Sequence, residues 1–317
     1  MARSPFAIGG HTVKPGTRQE VGLPIARLVT GAEIDLPVLV IHGRGAGPSV
    51  WIDAAIHGDE VGGVDIIHRV LQHIDPKKLH GTLIAVPVVN VLGFMNGDRY
   101  LPDRRDLNRS FPGSSRGSLA GRIAHLLMTE VVAPCDVGID LHTGSDHRSN
   151  LPQIRADLDD ERTRALAETF GAPVMIHART RDGSLRHAAR EHGAAVLLYE
   201  GGEALRFDHW AIEAGVSGVL RVLASLQMID EPTTPAPTSV ESRKTGWVRA
   251  GRSGIVRIEC ELGDRVVTND RVGVISNSFG RQLSVIKAAR DGIVIGRLEA
   301  PLVNRGDAIV HIAEVGA

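Results

Sequence analysis

Trp51-Ile52-Asp53-Ala54-Ala55-Ile56-His57-Gly58-Asp59-Glu60, followed after a short glycine-bearing gap by Val64-Asp65-Ile66-Ile67-His68-Arg69-Val70-Leu71, decides the fold class. The first six residues read as a buried strand and the second segment as a helix, so His57 and Glu60 fall where a strand turns into a helix. Spaced three apart, they can point at one spot. Val137-Gly138-Ile139-Asp140-Leu141-His142, leading into Thr143-Gly144, is a second short apolar run with polar residues toward its carboxyl end. Open α/β sheets gather ligands at that edge.

His57, Glu60 and His142 supply two imidazoles and a carboxylate, a set that suits a catalytic metal with one coordination position left for water. The His57/Glu60 spacing is weak alone, because a His and a Glu so spaced occur on ordinary helices. A third element, Arg105-Asp106-Leu107-Asn108-Arg109-Ser110-Phe111-Pro112-Gly113, and a fourth, Leu198-Tyr199-Glu200-Gly201-Gly202, strengthen it.

In that order, with Arg99-Tyr100-Leu101-Pro102-Asp103-Arg104 ahead of the third element, these segments resemble the succinylglutamate desuccinylase/aspartoacylase family of the zinc carboxypeptidase superfamily. The resemblance covers roughly residues 50 to 210. It implies one Zn²⁺ per chain on His57, Glu60 and His142, Glu200 as general base and Arg99 as the arginine that polarises a carbonyl. It also implies that Asn108 and Arg109 hold a substrate carboxylate. Some relatives bring a substrate-binding tyrosine from the C-terminal domain, and this chain has no tyrosine after Tyr199.

A chain of 317 residues is long enough for a large core and two domains. Hydrophobic content of 43% and charged content of 23% are ordinary for a soluble globular protein. A net charge of -1 leaves no electrostatic footprint for nucleic acid or an anionic membrane, and aromatics at 3% argue against a platform for stacking bases. Apolar stretches such as Leu36 to His42 are too short to span a bilayer. Met1-Ala2-Arg3-Ser4-Pro5 leads into no apolar signal core, and Cys135 and Cys260 read as buried thiols, so the expected compartment is the reducing cytoplasm. The sequence leaves homo-oligomerisation open.

Pro24-Ile25-Ala26-Arg27-Leu28-Val29 and Leu36-Pro37-Val38-Leu39-Val40-Ile41-His42 read as extended, with Gly31 and the Gly43-Arg44-Gly45-Ala46-Gly47-Pro48 cluster as turns. No Lys-Ser or Lys-Thr pair follows that cluster, so it is a turn and not a phosphate loop. Gly81 to Val89 is expected to be a strand in which Pro87 marks an end or an edge. Helical spacing spans Leu119 to Val132 and Asp160 to Phe170, and strands are expected at Ala172 to His177 and Ala195 to Tyr199. Such alternation predicts an α/β fold with a mixed, mostly parallel sheet flanked by helices, occupying residues 1–230 as the catalytic domain. The prolines of Glu231 to Thr238 read as a linker. Beyond them, residues 240–317 are expected to form an all-β sandwich or barrel. A weak repeat sets Gly251-Arg252-Ser253-Gly254-Ile255-Val256 against Ala289-Arg290-Asp291-Gly292-Ile293-Val294, each copy leading to a Gly-Asp pair, Gly263-Asp264 and Gly306-Asp307. This resembles a biotinyl/lipoyl-type fold without its carrier lysine, since the turn between halves is Phe279-Gly280-Arg281-Gln282. The module is expected to be structural or a cover for the active site.

Several positions have two readings. Arg109 either clamps a carboxylate or staples its loop through Asp106. Asp140 either orients His142 or is a buried carboxylate bonded to backbone amides. His68, His147, His177 and His187 are expected to be structural, and Arg181 and Arg186 are candidates to touch an anionic substrate. Together the residues point to a zinc-dependent amidohydrolase that removes the acyl group from a small N-acyl amino acid. Two alternatives remain: a metallocarboxypeptidase trimming a peptide C-terminus, which would want a further tyrosine, and a non-catalytic binding protein of the same fold.

Overall fold

The computed structural model describes residues 3–27, 29–145, 147–230 and 235–315. A small hairpin, β1 (Phe6–Ile8) and β2 (His11–Val13), precedes β3 (Thr17–Arg27), β4 (Glu33–His42) and β5 (Gly45–Ala54). Then follow α1 (Gly62–Gln72), β6 (His80–Val86), α2 (Val91–Asn96) and α3 (Leu119–Leu126), which runs on as a π-helical segment over Leu127–Val132. Next come β7 (Val137–Gly144), β8 (Arg148–Ala156), α4 (Glu161–Phe170), β9 (Val174–His177), α5 (Leu185–Glu191), β10 (Ala195–Glu203) and α6 (His209–Ser225).

The glycine cluster departs from expectation. Only Gly43 and Arg44 turn, and β5 starts at Gly45. Small residues let this strand run close to its neighbour: a Cβ at Gly47 would fall 2.8 Å from the Gly81 backbone nitrogen of β6. Pro87 behaves as an end, since β6 stops at Val86 and is paired on both sides, by β4 and β5. Of the expected first strand, Leu28 lies outside the described residues, as do residues 231–234 of the linker.

The sheet is mixed. Its inner strands, in the order β6-β5-β7-β10, are parallel, while β3, β4 and β8 join antiparallel. Period-two alternation sorts the side chains of β5 onto two faces. Val50, Ile52 and Ala54 pack with Ile67 and Val70 of α1, Phe170 of α4 and Val219 of α6. Trp51 packs instead with Ile123 of α3, Val131 of the π segment and Leu185 of α5. Helices therefore cover both faces, and the carboxyl ends of the parallel strands stay open for a site.

Beyond residue 240 every described element is a strand: β11 (Val240–Ser242), β12 (Lys244–Arg249), β13 (Gly254–Ile258), β14 (Arg265–Val266), β15 (Arg271–Ser276), β16 (Gln282–Lys287), β17 (Gly292–Leu298), β18 (Leu302–Val303) and β19 (Ala308–Glu314). Strands β16-β15-β13-β18 form a separate antiparallel sheet. The others extend the main sheet, because β17 pairs antiparallel with β8 and β11 pairs parallel with β9. The repeat has a physical basis. In each copy Gly turns with positive φ, +94° at Gly263 and +98° at Gly306, and the following Asp accepts from the amide three residues back, Glu261 N at 2.8 Å and Asn304 N at 2.7 Å. Among the described residues no helix is long and apolar enough to cross a membrane.

Candidate active site

The turn after β5 carries two of the expected ligands, and β7 places the third beside them. Ala54 of β5 is paired with Leu141 of β7, so His142 emerges next to the turn. The turn is held close: a Cβ at Gly58 would lie 2.2 Å from the Gly93 carbonyl carbon, so only glycine lets α2 pass there. His57 Nδ1 is 2.8 Å from Glu60 Oε1, and His142 Nδ1 is 2.7 Å from Glu60 Oε2. All three residues are buried, and their potential ligand atoms lie within 4.8 Å of one another. Burial pushes the Glu60 carboxyl up, but the two imidazoles outweigh it and hold it well below the usual range. Both rings also face carboxylates with their other nitrogen: His57 Nε2 is 3.3 Å from Asp106 Oδ1, and His142 Nε2 is 2.9 Å, obliquely, from Asp140 Oδ1. Carboxylates behind imidazoles fix ring orientation in metal sites, so this donor set fits a divalent cation.

Asp140 therefore takes the orienting position, and neither of its oxygens accepts a backbone amide among the described residues. Behind it lies Asp53, also fully buried and bonded by Trp51 Nε1 at 2.8 Å. Burial, and then the Asp140 charge, push Asp53 well above the usual carboxylate range.

Arg99 Nη1 lies 2.9 Å from Glu60 Oε1 and its Nη2 lies 3.7 Å from Asp106 Oδ2. Asp106 accepts from Asn108 N at 2.9 Å, capping a 3-10 turn over Leu107–Arg109. Burial opposes its ionisation, but His57, then Arg99 and Arg109, hold it at about 2. Its close partners are thus His57 and Arg99. Arg109 donates to the Asn108 carbonyl oxygen within the same turn while its charge acts on Asp106, so local stapling of the loop and a role toward a substrate both stay open to it. Asn108 is buried and its Oδ1 accepts from Leu185 N at 3.0 Å, tying the turn to α5.

Glu200 stands beside His142 in the parallel register of β10 and β7, just before an irregularity at Gly201-Gly202. Its Oε2 accepts from Asn150 Nδ2 at 2.8 Å, and Oε1 is 3.7 Å from Arg155 Nε. Burial raises its pKa, opposed by Arg155 and His142. Glu200, Arg99, Asn108, Arg109 and the three ligand candidates all line one cavity of about 640 Å³.

Other lining residues were not foreseen. Arg148, Asn150 and Arg155 come from β8, Trp247 and Arg249 from β12, and His311 from β19. Trp247 stacks on His311 with centroids 4.4 Å apart, and the Arg148 guanidinium lies 5.4 Å from the Trp247 ring. Burial, then Arg155 and Arg290, hold His311 down at about 3, so it is neutral at ordinary pH. The C-terminal strands thus line part of the cavity. Arg181 and Arg186 reach the cavity as well, and burial brings Arg186 down to about 10, leaving it charged at neutral pH. His187 turns instead to Thr180 Oγ1 at 3.1 Å, His68 and His147 are exposed, and His177 accepts from Leu158 N. Neither tyrosine lines the cavity: Tyr199 is buried with its hydroxyl on the Ala211 carbonyl oxygen, and Tyr100 is exposed. Both cysteines are free. A second acidic cluster, Asp157, Asp159 and His177, is neutralised by Arg190 at 2.9 Å and Arg243 at 2.8 Å.

Residues 46–226 match the succinylglutamate desuccinylase/aspartoacylase catalytic domain. The N-alpha-acetyl-L-2,4-diaminobutyric acid deacetylase of Halomonas elongata is 30% identical over 297 residues, covering 88% of this chain and 86% of that protein. A succinylglutamate desuccinylase/aspartoacylase from Rhodobacter sphaeroides has a crystal structure similar at TM-score 0.84 and 27% identity, with 94% of this chain and 96% of that one covered. The product-bound ectoine utilization protein EutE (DoeB) of Ruegeria pomeroyi shares the fold, at TM-score 0.86 and 23% identity over 98% of both chains. Deacylases are thus among the relatives.

Proposed function

The chain belongs to the succinylglutamate desuccinylase/aspartoacylase family, and from that premise we propose that it is a zinc-dependent deacylase, cleaving the amide of an N-acyl amino acid to a carboxylate and a free amine. One observation carries this reading: two imidazole Nδ1 atoms and a buried carboxylate converge at the floor of a cavity that also holds Glu200. His57, Glu60 and His142 would hold one Zn²⁺. When bound, zinc supplies Lewis acidity that brings water toward a pKa of about 7. Glu200 takes the proton of the attacking water and passes it to the leaving nitrogen, so the amine departs neutral. Arg99, already beside Glu60, stabilises negative charge developing on the carbonyl oxygen. Arg109, with Asn108 beside it, anchors the substrate carboxylate through its planar fork.

The Halomonas elongata relative makes N-acetyl diamino acids the first substrates to try. A specific observation favours a second group. Arg148, Arg155, Arg179, Arg181, Arg186 and Arg249 line the cavity, with Glu200 and Asp307 among its acidic residues, and this excess suits an acyl or side-chain carboxylate. The test is zinc analysis together with hydrolysis of N-acetyl and N-succinyl derivatives of basic, neutral and acidic amino acids, using wild type and His142→Ala. We expect one zinc per wild-type chain and loss of both zinc and turnover in the variant. Turnover of none at any metal loading would make the protein a binder, and release of C-terminal residues from peptides alone would make it a carboxypeptidase.

A further inference from the structure

Asn150, which bonds Glu200, lies on the strand that separates β10 from the C-terminal strand β17. Strand β8 pairs with β10 through Gln153 opposite Glu200 and Asn150 opposite Gly202, and with β17 through Asn150 opposite Gly296. Gly296 in turn pairs with His311 of β19, and His311 with Trp247 of β12. Directly paired residues share a sheet face. Asn150, Gly296, His311 and Trp247 thus form one row running from Glu200 to the cavity wall. Gly296 is the gap in it. A Cβ there would stand 2.9 Å from Asn150 Oδ1 and 3.3 Å from His311 Cβ. His311 Cβ is fixed to its backbone, whereas the Asn150 amide is the far end of a rotatable side chain. The amide would yield by a few tenths of an ångström, and in yielding it would weaken the bond from its Nδ2 to Glu200.

We propose that Asn150 is a positioning residue for Glu200, and that the C-terminal sheet keeps it seated by presenting glycine at 296. This rests on Glu200 being the base. The donated hydrogen bond fixes one carboxylate oxygen and favours the ionised form that accepts a proton. The other charged groups acting on Glu200 are Arg155 on β8, His142 on β7, and Glu60 and His57 on the turn after β5. Among the described residues Asn150 supplies the hydrogen bond to its carboxylate.

The test compares Asn150→Ala, Gly296→Ala, their double variant and Glu200→Gln, with metal content and melting temperature followed for each. Asn150→Ala should lower kcat by about tenfold to a hundredfold, the range for losing a hydrogen bond to a charged group, and Gly296→Ala should lower it by a smaller factor. KM and zinc content should hold, and the acid limb of kcat/KM should move to higher pH, because a carboxylate without its donor is more basic. In the Asn150→Ala background Gly296→Ala should cost nothing further in kcat, since the oxygen it displaces is gone. Wild-type kcat in Asn150→Ala overturns the proposal however Gly296→Ala folds, as does full additivity of the two losses. If Glu200→Gln stays active, the base assignment itself has failed. If it is inactive while the other variants behave as wild type, only the positioning role falls.

Discussion

Gly138→Ala tests whether the strands beneath the site are packed as closely as the structure shows. Gly138 on β7 pairs with Trp51 on β5, and a Cβ at 138 would lie 2.0 Å from Trp51 Cζ2 and 2.2 Å from Cη2. Trp51 is fully buried, and its Nε1 bonds the fully buried Asp53 at 2.8 Å, so the indole cannot swing aside freely. Overpacking costs about 1–3 kcal/mol. If the indole tilts off Asp53, an unmet buried polar group adds about 1–3 kcal/mol. The expected loss is about 2–6 kcal/mol, or a melting temperature lower by roughly 3–9 °C. Because Asp53 faces Asp140 across the two strands and Asp140 backs His142, metal affinity should fall too, by about tenfold or more. Thermal melts and a competitive zinc titration measure both effects. Gly121→Ala in α3 is the control: its Cβ would meet nothing nearer than 3.6 Å, so it should not lower the melting temperature. A Gly138→Ala melt within 2 °C of wild type would refute the reasoning.

Glu200→Gln should lower kcat by about a hundredfold to ten-thousandfold, as expected for loss of a general base, while zinc content stays at the wild-type level in metal analysis. Glu200 must be ionised to act, and its pKa is raised by burial. Activity should therefore be lost as pH falls through a value above the ordinary glutamate range of about 4.3, seen as the acid limb of a kcat/KM profile. Arg109→Lys keeps the charge but not the bidentate fork, so KM should rise about tenfold with kcat little changed in steady-state kinetics. His311 is held at about 3, so its ring should show no titration between pH 5 and 8 by NMR, and a protonation step in that window would contradict its described surroundings.

The floor of the site was legible because its residues sit in short contiguous segments at strand ends. His57 with Glu60, Asp140 with His142, and Glu200 before two glycines need only local structure to be aimed. Helices α1, α3 and α4 were legible from their period, and Asp160 is seen capping α4 at Thr163 N, 2.8 Å, whereas α2 and α6 were not anticipated. The Gly43 to Pro48 cluster misled because glycine permits close strand approach as readily as it permits turns. The walls that β8, β12 and β19 contribute were not legible. Asn150 reaches Glu200, and Trp247 reaches His311, only through strand pairing between distant segments, and nothing in Arg148-Ser149-Asn150 or Lys244-Thr245-Gly246-Trp247 marks those residues.

Proton counting separates the central pair of histidines from an ordinary buried one. His42 is also buried, with Thr82 Oγ1 at 2.9 Å from Nδ1 and the Ser4 carbonyl oxygen at 2.9 Å from Nε2. One neutral tautomer satisfies it, since the hydroxyl donates to Nδ1 and Nε2–H donates to the carbonyl. His57 and His142 have no such solution. Each faces an acceptor-only carboxylate at both nitrogens, Glu60 on one side and Asp106 or Asp140 on the other. Without a metal, meeting all four contacts requires two protons on each ring and two positive charges in a closed pocket. A divalent cation held by both Nδ1 atoms and Glu60 would supply the same charge as the two Nδ1 protons, with Asp106 bonded to His57 Nε2 and Asp140 2.9 Å from His142 Nε2. A packing role asks for neither the second carboxylate nor the shared one, yet here the shared acid Glu60 and the Asp140 behind His142 are buried and the Asp106 behind His57 is half-buried.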